Sequence, residues 1–440
     1  MKKVIFISLT LAAVAACQKE DVNTPSVNES AAPAELYACI EDTDPDTKIH
    51  LGEYDGKYRV LWDGYNDATA VFAGIDKSSI YRVKGATANT PNATLYLQDG
   101  KAATSETAIS AIAAYYPYPS SGAVGGMQVT ENQDGSYTFP GSFSDYQTYL
   151  EGSFPDRGFP LVAVSAGVDD HSLNFKNAAG GLCINVQGGA RIKSVTLKSN
   201  EENKVISGNA DITVANTDNQ ENVPSYVFTG DKKTVNLTCT NAVVTSVDEA
   251  TPFYIGVAPQ EFPEGFTVTL KDVDGFTWDV STTNHQEIVR SKILNMPSVT
   301  FPHKEFDLAK TPSNVGSGAA YDPAAQILQF TGSSNRYVDF SITGIDLLKC
   351  KGIGLVTDDC NFNIQFQFFE AGKFSTAAHT WTCYSPGVVT DYYVKKYDLP
   401  ADLITKLEAG TVIDRIRIGL NTNTAVEGTP SVHLVRLLLY

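Results

Sequence analysis

The sequence predicts an all-β fold, chiefly because apolar and polar residues alternate with a period of two over many short segments. In the clearest case Phe266, Val268 and Leu270 alternate with polar residues, so one face of a strand is apolar and the other faces water. The turn-forming residues 272–275 follow, and a second alternating run over residues 276–280 completes a predicted hairpin.

Helical periodicity is confined to two short segments. One covers residues 105–112, and the other begins after Pro400, where Leu403, Ile404 and Leu407 are expected to be buried. Many short strands separated by turns rich in Gly, Asp and Asn are typical of β-sandwiches. A chain of 440 residues is long enough for about two to four domains.

Changes in composition divide the chain at two places. A turn-rich break lies near Val168, and a shift toward Ser, Gly and Ala follows His303. The predicted organisation is a signal peptide over residues 1–16, a flexible tether over 17–34, and β-domains over 35–168, 169–303 and 304–440.

The first residues predict export. Lys2 and Lys3 precede an apolar run that is shorter than the roughly 20 residues of a membrane span, which is typical of a secretory signal. Residues 14–17, Val-Ala-Ala-Cys, resemble a bacterial lipobox, which implies cleavage between Ala16 and Cys17 and attachment of acyl chains such as palmitate to Cys17. The alternative is an ordinary cleaved signal that leaves Cys17 unmodified.

Charge and motifs exclude several classes of function. The formal net charge of −17 disfavours binding to nucleic acid or to an anionic membrane surface. The sequence contains no nucleophile elbow, P-loop or dinucleotide fingerprint, and its six histidines are not at metal-ligand spacing. We therefore predict no catalytic residue, no cofactor and no metal site, and we expect the protein not to be an enzyme. A glycosidase site built from carboxylates on distant strands stays open.

Three acidic segments are interpreted as turns. Residues 42–46 and 272–274 each contain closely spaced aspartates that calcium could recruit, but neither continues into an EF-hand loop. Residues 169–172, Asp-Asp-His-Ser, contain the letters of a catalytic triad, but neighbours along a strand point to opposite faces.

The remaining cysteines are too sparse for a disulfide scaffold. Cys183 and Cys239 lie in strand patterns and are expected to pack as small apolar residues. A bridge between Cys350 and Cys360 across a short loop remains an alternative.

Several segments, in their order along the chain, resemble the fimbrillin-like surface lipoproteins. They are DTK at 46–48, RVLW at 59–62, AVF at 70–72, AYYPYP at 114–119, FPLVA at 159–163, LNFKNAAG at 173–180, IKSVTL at 192–197, SG at 207–208, PFYI at 252–255 and RSKILNMP at 290–297. The resemblance implies two tandem transthyretin-like β-sandwiches over residues 35–302. The bulky Trp62, Phe72, Tyr115 and Tyr116 are then expected to fill their cores, with a ligand platform as the alternative.

The same resemblance implies a cell-surface adhesin or pilus component. In stalk members of the family, cleavage after an arginine removes the first strand, and a strand of the next subunit fills the groove. Other fimbrillin-like subunits are therefore candidate partners through strand addition. The run Lys19-Glu20-Asp21 resembles the export tag of outward-facing lipoproteins and implies an outer-membrane protein facing the cell exterior; a solvated tether is the alternative.

Two features depart from the stalk pattern. No arginine lies between Cys17 and Arg59, and Arg59 itself falls within a strand pattern, so Lys48 and Arg59 are weak candidates for a maturation cleavage site. The chain also continues beyond the resemblance, and residues 432–440 have the pattern of a buried closing strand. An anchored, tip or accessory component of pili is predicted rather than a stalk subunit.

Residues 304–440 predict a third β-sandwich that is similar to jelly-roll sugar-binding modules. A turn-rich stretch contains the aromatic residues Trp381, Tyr384, Tyr392, Tyr393 and Tyr397, together with Phe374 and His379. Trp381, Tyr384, Tyr392 and Tyr393 are the candidate ligand-binding aromatics, since aromatic faces suit sugar rings; core packing is the alternative. The expected partners are thus membrane lipid through Cys17, other subunits, and a host or microbial surface ligand or glycan. The second function considered is a surface glycan-binding lipoprotein that uses this module to capture carbohydrate.

Overall fold

The computed structural model describes most of the chain. The described residues are 32–41, 51–54, 57–62, 67–84, 90–100, 102–119, 127–155, 158–215, 223–246, 249–301, 304–350, 352–357, 364–372, 380–384, 394–420 and 428–439.

Short strands make up nearly all of the regular structure of these residues. In chain order the first strands are β1 (Glu35–Ile40), β2 (Leu51–Tyr54), β3 (Lys57–Val60), β4 (Ala68–Ile75), β5 (Ser79–Val83), β6 (Asn92–Leu97), β7 (Ala108–Tyr116), β8 (Thr130–Glu131), β9 (Ser136–Phe143), β10 (Tyr146–Thr148), β11 (Leu161–Val164) and β12 (Ser172–Asn177). They are followed by β13 (Gly180–Gln187), β14 (Arg191–Ser199), β15 (Gly208–Ala215), β16 (Ser225–Phe228), β17 (Thr234–Val244), β18 (Thr251–Val257), β19 (Gln260–Phe262), β20 (Phe266–Asp272), β21 (Thr277–Thr282), β22 (Gln286–Ile288), β23 (Ile293–Asn295) and β24 (Val299–Thr300). The last are β25 (Lys304–Glu305), β26 (Asn314–Val315), β27 (Ala319–Asp322), β28 (Ile327–Phe330), β29 (Tyr337–Ser341), β30 (Gly352–Thr357), β31 (Ile364–Glu370), β32 (Thr380–Tyr384), β33 (Val394–Asp398), the helix α1 (Ala401–Glu408), β34 (Ile413–Leu420) and β35 (Ser431–Leu439). Single 3₁₀ turns occur at Gln98–Gly100 and Leu347–Lys349. The all-β prediction is confirmed.

The first unit is a closed barrel. Its strands follow the order β1-β12-β11-β7-β4-β5-β6, and β6 pairs with β1 to close it. Apolar side chains fill the interior, among them Trp62, Tyr116 and Phe175. The Trp62 ring meets both of the others edge-on, with centroids 5.5 Å and 5.4 Å away.

A four-stranded sheet in the order β16-β15-β9-β8 covers one side of the barrel. Phe72 and Tyr115 lie on the outer face of the barrel and pack against Phe139 of the covering sheet. All four bulky residues singled out in the sequence are therefore buried in cores, as predicted, and form no exposed ligand platform.

The second unit is a β-sandwich. One sheet has the order β10-β17-β14-β20-β21, and the other contains β18, β13, β23 and β24. The predicted hairpin is present, with Leu270 opposite Trp278 and Val268 opposite Val280. Cys183 and Cys239 are buried within this part of the chain, as predicted.

The first two units exchange strands. Strand β12 follows the predicted boundary at Val168 but lies in the barrel between β1 and β11. Strand β15 pairs with β9, and β10 pairs with β17. Strands that precede the boundary at Val168 therefore pair with strands that follow it in both units. The two units fold as one interlocked body.

The third unit is a second sandwich. One sheet has the order β27-β28-β35-β30-β33, with β25 added beside β35, and the other has the order β26-β29-β34-β31-β32. The core between them includes Leu355, Phe366, Ile416 and Leu437.

Two local predictions differ from the structure. Residues 105–112, predicted as helical, lead into strand β7, because pairing with β4 and β11 overrides the helix propensity of an alanine-rich segment. Helix α1 is present and buries Leu403, but Ile404 is 37% exposed rather than buried.

Cys350 is a free thiol that donates to the Asp346 carbonyl oxygen, so the alternative bridge to Cys360 is not formed. Cys360 itself lies outside the described residues.

A turn of the second unit docks onto the third. Phe276, which follows the β20 turn, is fully buried and packs with Leu438 of β35. Its ring lies directly over Gly354 of β30, where an added Cβ would approach the ring carbons to 2.1 Å. A side chain at position 354 would therefore displace Phe276, so the contact depends on this glycine.

An ion pair is buried beside that aromatic contact. The Arg436 guanidinium donates to Asp272 Oδ2 at 2.9 Å and also pairs with Asp274. The Asp272 carboxylate is fully buried and also accepts the Phe276 backbone N–H at 2.8 Å. Burial raises the pKa of Asp272, while Arg436 opposes that shift. The aspartates considered as a calcium site thus bind an arginine of the third unit.

Replacing Arg436 by methionine tests this interface. The change leaves the buried Asp272 carboxylate without its guanidinium partner, which typically costs about 3–5 kcal/mol. We expect Arg436→Met to lower the free energy of unfolding of the linked second and third units by about that amount. Urea denaturation followed by tryptophan fluorescence measures the loss.

Arg191→Met is the matched control. Arg191 pairs with Asp274 in the same cluster, but its side chain is 49% exposed, so its loss should cost less than about 1 kcal/mol. Equal losses for the two variants would contradict the assignment of the interface to Arg436.

Candidate functional site: strand β1 and the third-unit surface

Strand β1 completes the barrel from both sides. It pairs antiparallel with β6, where Tyr37 faces Thr94, and parallel with β12, where Tyr37 faces Ser172. Its alternation places Leu36, Ala38 and Ile40 inside the barrel, each no more than 3% exposed.

The outer side of β1 is exposed. Tyr37 is 68% exposed, and an open groove of about 770 Å³ surrounds it. The groove is lined by side chains of β1, β6 and β12, including Asn92 and Asn174. Strand β1 thus has an apolar inner face fixed in the barrel and a polar outer face open to solvent.

A polar cluster fixes the end of β1. The Glu41 carboxylate accepts the Asn177 backbone N–H at 2.9 Å and the Ser291 hydroxyl at 3.2 Å, and it pairs with the Arg290 guanidinium. Arg290 also donates to the Asn177 carbonyl oxygen at 3.0 Å. The Glu41 and Arg290 side chains are only 18% and 22% exposed, so water weakens this pair less than a surface pair.

The start of β1 is held by weaker contacts. Tyr81, whose pKa is raised by burial, donates its hydroxyl to the Pro33 carbonyl oxygen at 2.6 Å. Lys84 pairs with Glu35, but both side chains are about half exposed. The strand is therefore fastened most firmly at its Glu41 end.

Loss of β1 would open a groove between β6 and β12. Both neighbours would then present unpaired backbone N–H and C=O groups above the apolar interior, which is the surface that strand addition requires. The barrel therefore contains the groove that strand exchange would need, and β1 of the same chain fills this groove.

The predicted processing residues are only partly described. Ala16, Cys17 and Lys48 lie outside the described residues, so cleavage and lipidation there stay predictions. Arg59 lies on β3, where its backbone pairs with Gly52 of β2. A protease needs an extended, accessible backbone, so a paired strand is an unfavourable place for cleavage.

Strand β35 is central in its sheet. It pairs with β28 on one side and with β30 on the other, and Leu434, Leu437 and Leu439 are fully buried. Residues 431–439 are therefore committed to their own sandwich and are not free to fill the groove of another subunit.

The described aromatics of the third-unit set are Trp381, Tyr384 and Tyr397, and Tyr397 is buried in the core. Trp381 and Tyr384 lie on edge strand β32 rather than in a loop, opposite Phe368 and Gln365 of β31. Tyr392 and Tyr393 lie outside the described residues. The predicted ligand role of the four candidate residues stays a prediction.

The outer face of the same sheet carries a cluster that the sequence analysis missed. Asp339 is fully buried and binds Arg417 through two hydrogen bonds of 2.7 Å and 3.0 Å, and Arg415 at 3.3 Å. The Arg417 guanidinium lies 3.2 Å from the centre of the Tyr337 ring, and that of Arg415 lies 4.4 Å from the Phe369 ring. The alternating Arg-x-Arg of β34 was the only local signal.

Among the described residues no cluster of three or more His, Cys, Asp or Glu side chains is arranged to hold a metal ion. Within that same part of the chain, no helix has the length and apolar character needed to cross a bilayer.

Solved structures that resemble this chain are cell adhesion and fimbrial proteins. A "putative cell adhesion protein" from Bacteroides ovatus is 15% identical, covers 62% of this chain and 93% of its own, and has a TM-score of 0.37. A protein of the same description from Bacteroides uniformis is 14% identical, with coverage of 62% and 95% and a TM-score of 0.31. A tip fimbrial protein from Porphyromonas gingivalis is 10% identical, with coverage of 56% and 81% and a TM-score of 0.17.

These similarities are distant. No protein-family model and no curated protein matches the sequence. The neighbours belong to the class of protein that the sequence segments resemble, but TM-scores below 0.5 do not decide what this chain does.

Replacing Arg290 by methionine tests the fastening of β1. Glu41 then loses its charged partner, and loss of a charge-assisted hydrogen bond is worth about 1.5–3 kcal/mol. We expect the amides of residues 35–40 to exchange with deuterium at least tenfold faster in Arg290→Met, as measured by mass spectrometry of peptides.

Lys84→Met is the control for that variant, because Lys84 pairs with Glu35 on the same strand but at an exposed position. It should change the exchange of β1 little. If both variants, or neither, accelerate exchange, the Glu41–Arg290 pair is not what fastens the strand.

Proposed function

We propose that this protein is a lipid-anchored cell-surface adhesin, acting as an anchored, tip or accessory component of pili rather than as a stalk subunit. The observation that carries the proposal is that β35 is a central strand of its own sheet. A stalk subunit of the strand-addition kind needs an open groove and a free donor segment. Residues 431–439 form a central strand and are therefore not a free donor segment. Strand β1 fills the groove as it would in an uncleaved stalk subunit, so its retention after export is what separates the two roles.

The same proposal assigns different roles to the domains of the chain. Residues 35–168 and 169–303 form the fimbrillin-like part, and residues 304–440 form an added module that carries recognition. The buried contacts of Phe276 and Arg436 support this arrangement, since they fix the module to the body that precedes it.

The proposed lipid anchor and outward display depend on residues 17–21. Acylation of Cys17 would attach the chain to the outer membrane, and Lys19-Glu20-Asp21 would direct it to the outer face. A net charge of −17 favours a solvated surface protein over one that lies on an anionic bilayer.

Protease treatment of intact cells tests this display. We expect an added protease to remove the folded part of the wild-type protein while a periplasmic marker protein survives. A variant with Lys19, Glu20 and Asp21 replaced by alanine should remain membrane-bound but become protected. Protection of the wild-type protein on intact cells would contradict outward display.

Capture of carbohydrate by the third unit is the second candidate function. The observation that favours it is a pocket on the outer face of the β29–β34 sheet, which contains both a carboxylate and a guanidinium. An adhesin that recognises a surface glycan and a nutrient-capture lipoprotein would both use such a site.

A further inference from the structure

A pocket of about 450 Å³ opens at one end of the sheet that contains β26, β29, β34 and β31. Its described lining residues are Ser313, Asn314, Ser341, Thr343, Gly372, Asp414 and Arg415. They come from four separate parts of the third unit, and the fold alone brings them together. None of the predicted ligand-binding aromatics is among them.

A β-bulge builds the pocket. Phe369 of β31 pairs with Arg415, but the next residue, Glu370, pairs with Ile413, so Asp414 is an extra residue on β34. Consecutive residues of a regular strand point to opposite faces, and a bulge redirects one of them. Asp414 and Arg415 therefore both line the same pocket, which a regular strand would not allow.

The base of the pocket is rigid. The Arg415 side chain is only 10% exposed and is held by Asp339 at 3.3 Å and by the Phe369 ring. The Asn314 amide donates to the same Asp339 carboxylate at 3.3 Å. Asp414 accepts the Gly372 backbone N–H at 3.4 Å. Groups fixed in advance lose little entropy when a ligand binds.

The lining chemistry restricts the ligand. The described lining residues present carbon atoms and polar groups in similar proportion, so a ligand with both apolar and hydrogen-bonding surface, such as a sugar ring, fits them best. An anion would meet the Asp414 carboxylate, and a cation would meet the Arg415 guanidinium. A neutral ligand whose groups both donate and accept hydrogen bonds matches the acceptor of Asp414, the donors of Arg415 and Asn314, and the hydroxyls of Ser341 and Thr343.

We propose that this pocket binds a neutral, hydroxyl-rich saccharide. Adjacent sugar hydroxyls can donate to Asp414 while accepting from Arg415, as the bulge places both side chains at one site. The inference deepens the proposed recognition role of the third unit and rests on it, but it does not require pilus assembly.

A glycan array tests the proposal on the full chain, kept soluble by Cys17→Ser. The array carries neutral oligosaccharides together with sialylated and sulfated ones. We expect saturable binding to at least one neutral oligosaccharide, weakened at least tenfold by Asp414→Ala, since a hydrogen bond to a charged group is lost. Asp402→Ala is the matched control, because Asp402 is an exposed aspartate on α1 that does not line the pocket.

Asn314→Ala provides a second variant should Asp414→Ala fold poorly, because Asn314 is exposed and lies on a short edge strand. It should also weaken neutral-glycan binding in a protein that still folds, with a fall in thermal midpoint no larger than the loss of its one hydrogen bond to Asp339 explains. Absence of binding to every neutral glycan, binding of acidic glycans alone, or binding unchanged in both pocket variants would overturn the proposal. Protease accessibility on intact cells is independent of this outcome, so failure of the saccharide site and failure of surface display are distinguishable.

Discussion

The pairing of β1 with β6 on one side and β12 on the other is the constraint on which the barrel depends. Without β1, two strand edges would present unpaired backbone groups, and the interior around Trp62 and Phe175 would be open to water. The chain satisfies both edges with its own residues, and Glu41 fastens the strand to Arg290. In the proposed anchored role this strand is retained, whereas a subunit that exchanges strands with a neighbour would lose it.

The second constraint is the buried contact between the second and third units. Phe276 occupies the space left by Gly354, and Arg436 neutralises a buried aspartate of the preceding sandwich. A buried carboxylate is costly without its partner, so this contact favours one specific arrangement of the two sandwiches. A ligand bound at the far sheet of the third unit would then be held at a fixed orientation to the body of the protein.

Local patterns in the sequence predicted the all-β fold and several strands, but not the start of β7 or the contacts between units. Alternation over residues 266–270 predicts the buried face of β20, since period-two patterning reports which side meets a core. The same pattern assigned Phe276 to its own hairpin, whereas its partners Gly354 and Leu438 lie far along the chain. The pocket is unpredictable for the same reason: its residues share no motif, and the bulge at Asp414 arises from pairing with β31.

The mature amino terminus of the protein on cells tests the central claim, that β1 is retained, most directly. Surface protein would be isolated from intact cells and its first peptide identified by mass spectrometry. The account predicts an acylated Cys17 joined through an uncut chain to residues 35–40. An amino terminus that begins after Lys48 or Arg59 would show that β1 is removed, and it would contradict the account.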